Sequence, residues 1–221
     1  MSGPLRRLGW WAADYAYALR WQLAAALDRT DPQRYATGPL APVVVLPGVY
    51  ETWRFLHPLV RALHERGHPV HVVTALQGNR APVRDGAALV ASELDRLDLQ
   101  HAVIAAHSKG GLIGKQVMLS PAGRRVRGMV AVATPFGGSR YGRFMPGATL
   151  RAFSPRDATI VALTGSADVN ARIVSVYPAF DPHIPEGSEL AGAKNVPLAT
   201  GGHFRVLADP RVIAEVAALA E

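Results

Sequence analysis

The 221-residue chain has no cysteine, which removes disulfides, thiolate nucleophiles and cysteine-ligated zinc or iron–sulfur centres. Lysine is nearly absent too: Lys109, Lys115 and Lys194 are its only three, and the other 21 of 24 basic residues are arginine. With 17 acidic residues the formal net charge is +7. Such a balance points to nucleic acid or an anionic surface. The arginines are scattered, however, with Arg124, Arg125 and Arg127 the densest group, so no nucleic-acid partner is expected. No run approaches the ~18 continuous apolar residues of a membrane span. No low-complexity tract occurs, and 49% hydrophobic with 19% charged residues is ordinary for one folded α/β domain.

The N-terminus reads as a helix over 5–28. Leu8, Trp11, Tyr15, Leu19 and Leu23 recur at helical spacing, and Trp10, Tyr17 and Trp21 lie on a second face. Two roles follow from this pattern: packing on the domain with aromatics at the rim, or an interfacial anchor flanked by Arg6, Arg7 and Arg20. Asp14 and Arg20 interrupt what would be the apolar core of a signal peptide, although Ala24–Ala26 offers an A-x-A pattern. The expected location is cytoplasmic or membrane-peripheral, with secretion as the alternative. Residues 31–42 are rich in turn formers and read as a linker. The chain thus divides into an N-terminal amphipathic helix and linker (1–36) and one α/β domain (37–221).

Beyond the linker, apolar runs alternate with helical patterns, as βαβ units do. Strands are expected at 43–46, 70–75, 102–106, 126–134, 172–177 and 195–200. Helices are expected at 53–66, 82–97, 110–119 and 208–220. Such a pattern makes a six-stranded parallel sheet covered on both faces, whose sites form at the C-terminal ends of its strands.

Two pattern matches fail on physical grounds. His64-Glu65-Arg66-Gly67-His68 matches the H-E-x-x-H string of zinc proteases, but Gly67 and Pro69 end the helix both histidines would have to share. The stretch 109–116 faintly resembles a phosphate loop, yet Lys109 replaces its first glycine and Gln116 its magnesium-binding hydroxyl. No metal and no cofactor is expected.

Ala106-His107-Ser108-Lys109-Gly110 follows the third strand and carries the spacing of a nucleophile elbow, with alanine in the first glycine position. The alternative is a serine that merely caps a helix. A nucleophilic serine needs a base, and the base an orienting carboxylate. Asp181 follows the fifth strand, 73 residues after Ser108, and His203 follows the sixth, 22 residues later. All three fall at C-terminal strand ends; Asp168, the rival acid, precedes its strand. Two backbone N–H groups should hold the developing oxyanion, one from Lys109 and one from Val49 after Gly48. The Lys109 side chain is then free to point outward. Tyr50, Trp53, His107 and Phe136 are the expected substrate-binding residues, and His183 is expected to help shape the site.

With these residues in place, the chain resembles the α/β-hydrolase lipases and esterases, and within them the small, lid-poor lipases of the Bacillus type. The resemblance rests on the elbow (106–111), Thr134-Pro135 with Gly137 and Gly138, Tyr177 to Asp181, and Gly201-Gly202-His203. It covers about 40–215 and excludes 1–36. It implies a single-domain α/β-hydrolase fold with a minimal six-stranded sheet, and a serine carboxylic-ester hydrolase working through an acyl-enzyme on a small ester or lipid. Thioesterase, phospholipase or acyltransferase chemistry on the same residues is the alternative. A non-catalytic, membrane-associated binding protein is the other. Residues 138–170 leave room for a short helix or two beside the site, and the pocket is expected to be shallow and partly open.

Overall fold

The computed structural model describes residues 3–221. Six strands, β1 (Val43–Leu46), β2 (Val70–Val72), β3 (Ala102–His107), β4 (Val126–Val132), β5 (Ile173–Phe180) and β6 (Lys194–Gly201), form one sheet in the order β2-β1-β3-β4-β5-β6. Every pairing is parallel. The helices are α1 (Pro4–Leu27), α2 (His57–His64), α3 (Val83–Arg96), α4 (Lys109–Met118), α5 (Ala148–Arg151), α6 (Ala158–Gly165) and α7 (Pro210–Ala220). This is the α/β-hydrolase fold expected from the sequence, with an N-terminal helix added.

The central strands are apolar at successive positions because both faces are covered. Val44, Leu46, Ile104 and Met129 point to the face packed by α3, α4 and α6. Val43, Val45, Val103 and Val130 point to the other, under α2 and α7. Two expected elements are shorter than their apolar runs. The second strand stops at Val72 and gives way to a 3₁₀ turn over Thr74–Leu76. The first helix of the domain opens as a 3₁₀ turn at Trp53–Leu56 before α2 begins at His57, with Pro58 in its first turn.

α1 packs with the face that carries Trp10, Tyr17 and Trp21. Trp10 stacks on Phe180 with ring centroids 6.5 Å apart, and Tyr17 meets Phe55 edge-on at 6.4 Å. Asp14 lies in the same stripe and is fully buried at 0% exposure. The other stripe faces solvent: Leu5, Leu8, Leu19, Leu23 and Leu27 are all exposed. The large rings can bury only where the domain offers Phe180 and Phe55, and that choice turns the leucines outward. Among the described residues no helix is long and apolar enough to cross a membrane.

Candidate active site

The turn from β3 into α4 is tight for stated reasons. Ser108 stands between them at φ 50° and ψ −118°, a backbone region that residues with side chains rarely occupy. The surroundings over-determine it. Its N–H donates to Val132 O at 2.8 Å, and its carbonyl accepts from Thr134 Oγ1 at 3.0 Å. A Cβ at Gly110 would run into the Leu46 carbonyl, and one at Gly111 into the Thr134 hydroxyl. The Ser108 side chain makes no helix-capping hydrogen bond, so capping does not account for this serine. Its Oγ has no hydrogen-bond partner among the described residues.

His203 and Ser108 line the same cavity of about 610 Å³. His203 Nδ1 is 2.8 Å from Asp181 Oδ2, while Asp181 Oδ1 accepts the N–H groups of His183 (2.8 Å) and Ile184 (3.0 Å). Burial acts to raise the Asp181 carboxyl, but His203 and the His183 N–H outweigh it and hold the group below its usual range. Burial acts to lower His203, and the Asp181 carboxylate, with smaller help from Glu51 and Asp14, lifts it above 6.5 instead. An imidazole braced this way has one nitrogen committed to the carboxylate and the other left for proton transfer.

Val49 lines the cavity, and its N–H has no acceptor among the described residues, whereas the flanking Gly48 and Tyr50 N–H groups donate to Glu51 Oε2 and Gly78 O. Lys109 opens α4, so its N–H has no acceptor within the helix. The Lys109 side chain departs from expectation. It does not point outward but lies buried, with Nζ donating to the carbonyls of Asn79 (2.8 Å) and Ala81, and burial pushes the amine down to about 8. The two carbonyls hold it there by tying the loop after β2 to the elbow.

Of the expected substrate-binding residues, Tyr50 lines the cavity and is half exposed. Trp53 and Phe136 do not. Trp53 is buried against Tyr35 and His57, and Phe136 joins the core beside Lys115 Nζ, 5.8 Å from its ring centroid. Both are drawn inward because the elements that follow them pack on the sheet. His107 points beneath the cavity, fully buried, with Nδ1 2.9 Å from Glu51 Oε2 and Nε2 3.0 Å from the His203 carbonyl. His183 does shape the wall. Burial and the neighbouring His203 push it down to about 4, and its Nε2 lies 3.1 Å from Tyr15 Oη.

Glu51, Asp14, Trp11 and Tyr15 reach the site without belonging to any motif. Asp14 did leave a signal: it is the only acidic residue in Pro4–Leu27 and falls within the Trp10–Tyr17–Trp21 stripe. Residues 138–170 form a 3₁₀ turn, α5 and α6, and supply Tyr141, Phe144, Met145, Leu150 and Phe153 to the cavity wall. Among the described residues no cluster of histidines and carboxylates is arranged to hold a metal ion.

No family model matches the sequence, and no curated protein is similar enough to match. Solved structures share the fold. A lipase from Bacillus licheniformis in its mature form superimposes with TM-score 0.64 at 13% identity, over 88% of this chain and 95% of that one. A monoacylglycerol lipase from Paleococcus ferrophilus gives 0.61 at 14%, over 81% and 95%. Aspergillus fumigatus lipase B gives 0.67 at 16%, over 85% of this chain and 54% of that chain. At such identities the likeness is one of fold, and a fold of this kind hosts many chemistries.

Proposed function

We propose that this protein is a serine carboxylic-ester hydrolase in which Ser108 is the nucleophile, His203 the general base and Asp181 its orienting acid. The observation that carries this reading is the buried Asp181–His203 pair, 2.8 Å apart, whose histidine lines the cavity that Ser108 also lines from a strained turn. His203 Nε2 takes the Ser108 proton as Oγ attacks the ester carbonyl. The N–H groups of Val49 and Lys109 receive the oxyanion, each contributing about 3 kcal/mol. His203 then protonates the departing alcohol and activates water to release the acid, while Asp181 stabilises the imidazolium. The cavity is of ordinary size for a small-molecule site and largely apolar in lining, with seven aromatic side chains among its residues, which suits an apolar acyl ester or glyceride.

The test is a fluorophosphonate probe together with a p-nitrophenyl ester panel from C2 to C16. Labelling at Ser108 is expected, and Ser108→Ala or His203→Ala should reduce kcat by about 10⁶. Asp181→Ala should also collapse activity. A protein that resists the probe and hydrolyses no ester in the panel is not a hydrolase of this kind. Thioesters and phospholipids in the same assay separate the neighbouring chemistries.

The substrate side of the proposal is a lipid surface. Tyr50, Tyr141, Phe144 and Met145 rim the mouth while exposed, Phe144 at 73%, and the leucine stripe of α1 continues from Trp11 and Tyr15 at the same mouth. The outward surface of α1 carries Arg6, Arg7 and Arg20 and no carboxylate, since Asp14 is buried. Co-sedimentation with phosphatidylglycerol vesicles should exceed that with phosphatidylcholine. It should be lost when Leu5, Leu8, Leu19 and Leu23 are all serine; equal soluble fractions throughout would remove the membrane contact.

A further inference from the structure

We propose that Asp14, on the N-terminal helix, is a positioning residue for His203, holding the backbone of the loop that delivers the imidazole to Ser108. The proposal rests on the reading of His203 as general base. Asp14 Oδ2 accepts the His203 N–H at 2.9 Å, and Oδ1 accepts the N–H groups of Phe204 and Arg205, both at 2.8 Å. Three consecutive amides therefore converge on one carboxylate contributed from 189 residues earlier in the chain. A buried carboxylate is tolerated only where donors surround it, and these three amides do so. Loops are otherwise the mobile parts of a fold, and a base that must meet a hydroxyl within hydrogen-bond reach gains from having its backbone pinned.

The glycines before His203 belong to the same contact. A Cβ at Gly202 would lie 2.5 Å from Asp14 Oδ1, and Gly202 itself stands at φ +118°. A Cβ at Gly201 would lie 2.5 Å from Trp10 Cε3. Gly201-Gly202-His203 is thus shaped to receive α1: the helix comes so close that neither preceding residue can carry a side chain. Tyr15, the next residue on α1, adds its hydroxyl contact to His183, whose ring centroid lies 4.8 Å from that of His203. The helix that lies outside the compact sheet domain in sequence is built into the catalytic histidine's support.

The groups facing His203 are Asp181 and His183 from the loop after β5, Glu51 from the loop after β1, and His107 and Ser108 from the end of β3. Asp14 and Tyr15 face it from α1. Removing the Asp14 charge takes away one of the three carboxylates that favour its imidazolium, so the acid limb of kcat/KM should move to lower pH. Asp14→Asn keeps the shape but turns a donor toward at least one of the amides. Its kcat should fall by about 10²-fold with KM within about twofold, as expected for a base displaced by about 1 Å. Asp14→Glu, which restores a carboxylate, should recover part of the loss. Tyr17→Leu loosens the α1 contact with Phe55 without touching the loop, and should lower Tm while leaving kcat unchanged.

A folded Asp14→Asn enzyme with parental kcat and an unmoved acid limb overturns the proposal, and so does a kcat loss that Tyr17→Leu reproduces, since both describe a simple tether. If Asp14→Asn does not fold, the same comparison is read on Asp14→Glu: kcat reduced tenfold or more at near-parental Tm supports the role, and parental kcat overturns it. Failure of the underlying reading looks different. In that case the parent itself takes no fluorophosphonate at Ser108 and loses nothing in His203→Ala.

Discussion

Glu51 is a side chain whose removal should be costly. Its Oε2 accepts the Gly48 N–H at 2.7 Å and stands 2.9 Å from His107 Nδ1, at a position only 1% exposed. Glu51→Ala leaves two buried donors without an acceptor, and each such orphan costs about 1–3 kcal/mol, so about 2–6 kcal/mol should be lost. That is a large part of the ~5–15 kcal/mol typical of a folded domain. Glu51→Gln keeps an acceptor in place and should lose clearly less. The effect reaches the chemistry through Gly48, because the Val49 N–H is carried by the turn that Glu51 closes. A shift of about 1 Å there should reduce kcat by roughly 10²-fold in the fraction that remains folded. Urea unfolding with fitted m-values gives the stability, and ester hydrolysis at saturating substrate gives kcat. A double-mutant cycle with His107→Ala should show coupling of at least about 0.5 kcal/mol, because the two residues share one buried contact. If Glu51→Ala unfolds with an unchanged m-value and a loss below about 1 kcal/mol, the donors found other partners and the reasoning is refuted.

At the elbow, Gly110→Ala should destabilise by at least about 2 kcal/mol, since its Cβ meets the Leu46 carbonyl. Gly165→Ala has nothing within 4 Å of its new Cβ and should be neutral or stabilising by up to about 1 kcal/mol; equal thermal shifts for the two would contradict the packing account. Lys115 is fully buried, its Nζ has no hydrogen-bond partner among the described residues, and burial pushes the amine down. Lys115→Met should therefore raise stability by about 1 kcal/mol or more near neutral pH. The native amine sheds its proton before the unfolded one does, so the parent gains stability as pH rises from the lowered value toward 10.5, a slope the variant should lack. On the proposed mechanism His203 must be neutral to act as base, and the Asp181 carboxylate raises it above 6.5, so kcat/KM should fall on acidification with a midpoint above that value. A midpoint below 6.5 in pre-steady-state or kcat/KM profiles would contradict the assignment.

Much of the fold could be read directly because each central strand is a short apolar run closed by turn residues. Val43–Leu46 ends at Pro47-Gly48, and Ala102–His107 ends at Ser108. The succession of strands and helices along the chain follows from the alternation, whereas the sheet order β2-β1-β3-β4-β5-β6 appears only in the fold. The elbow was equally legible, since its requirement is steric and local: small residues on either side of one strained serine. Asp181 and His203 were reachable by position, because loops that leave parallel strands at their C-terminal ends converge on one edge.

The side chains that support the site were not reachable in that way. Lys109 reads as a surface cation, yet it is held inside by the carbonyls of Asn79 and Ala81. Trp53 and Phe136 have the size for a pocket wall but face the core. Asp14 lies in a helix beyond any motif and joins His203 across 189 residues.

The sequence by itself offered the candidates for chemistry and determined which segments would form the sheet, because periodicity, absent cysteine and steric demands at a turn are properties of short stretches. Only the tertiary structure decided what surrounds that chemistry. Hydrogen-bond partners of a buried carboxylate, and the face a helix turns inward, depend on surfaces that exist once distant segments have packed. Asp14 shows the division most plainly: its presence among rings and alanines was visible, and its three amide partners were made by folding.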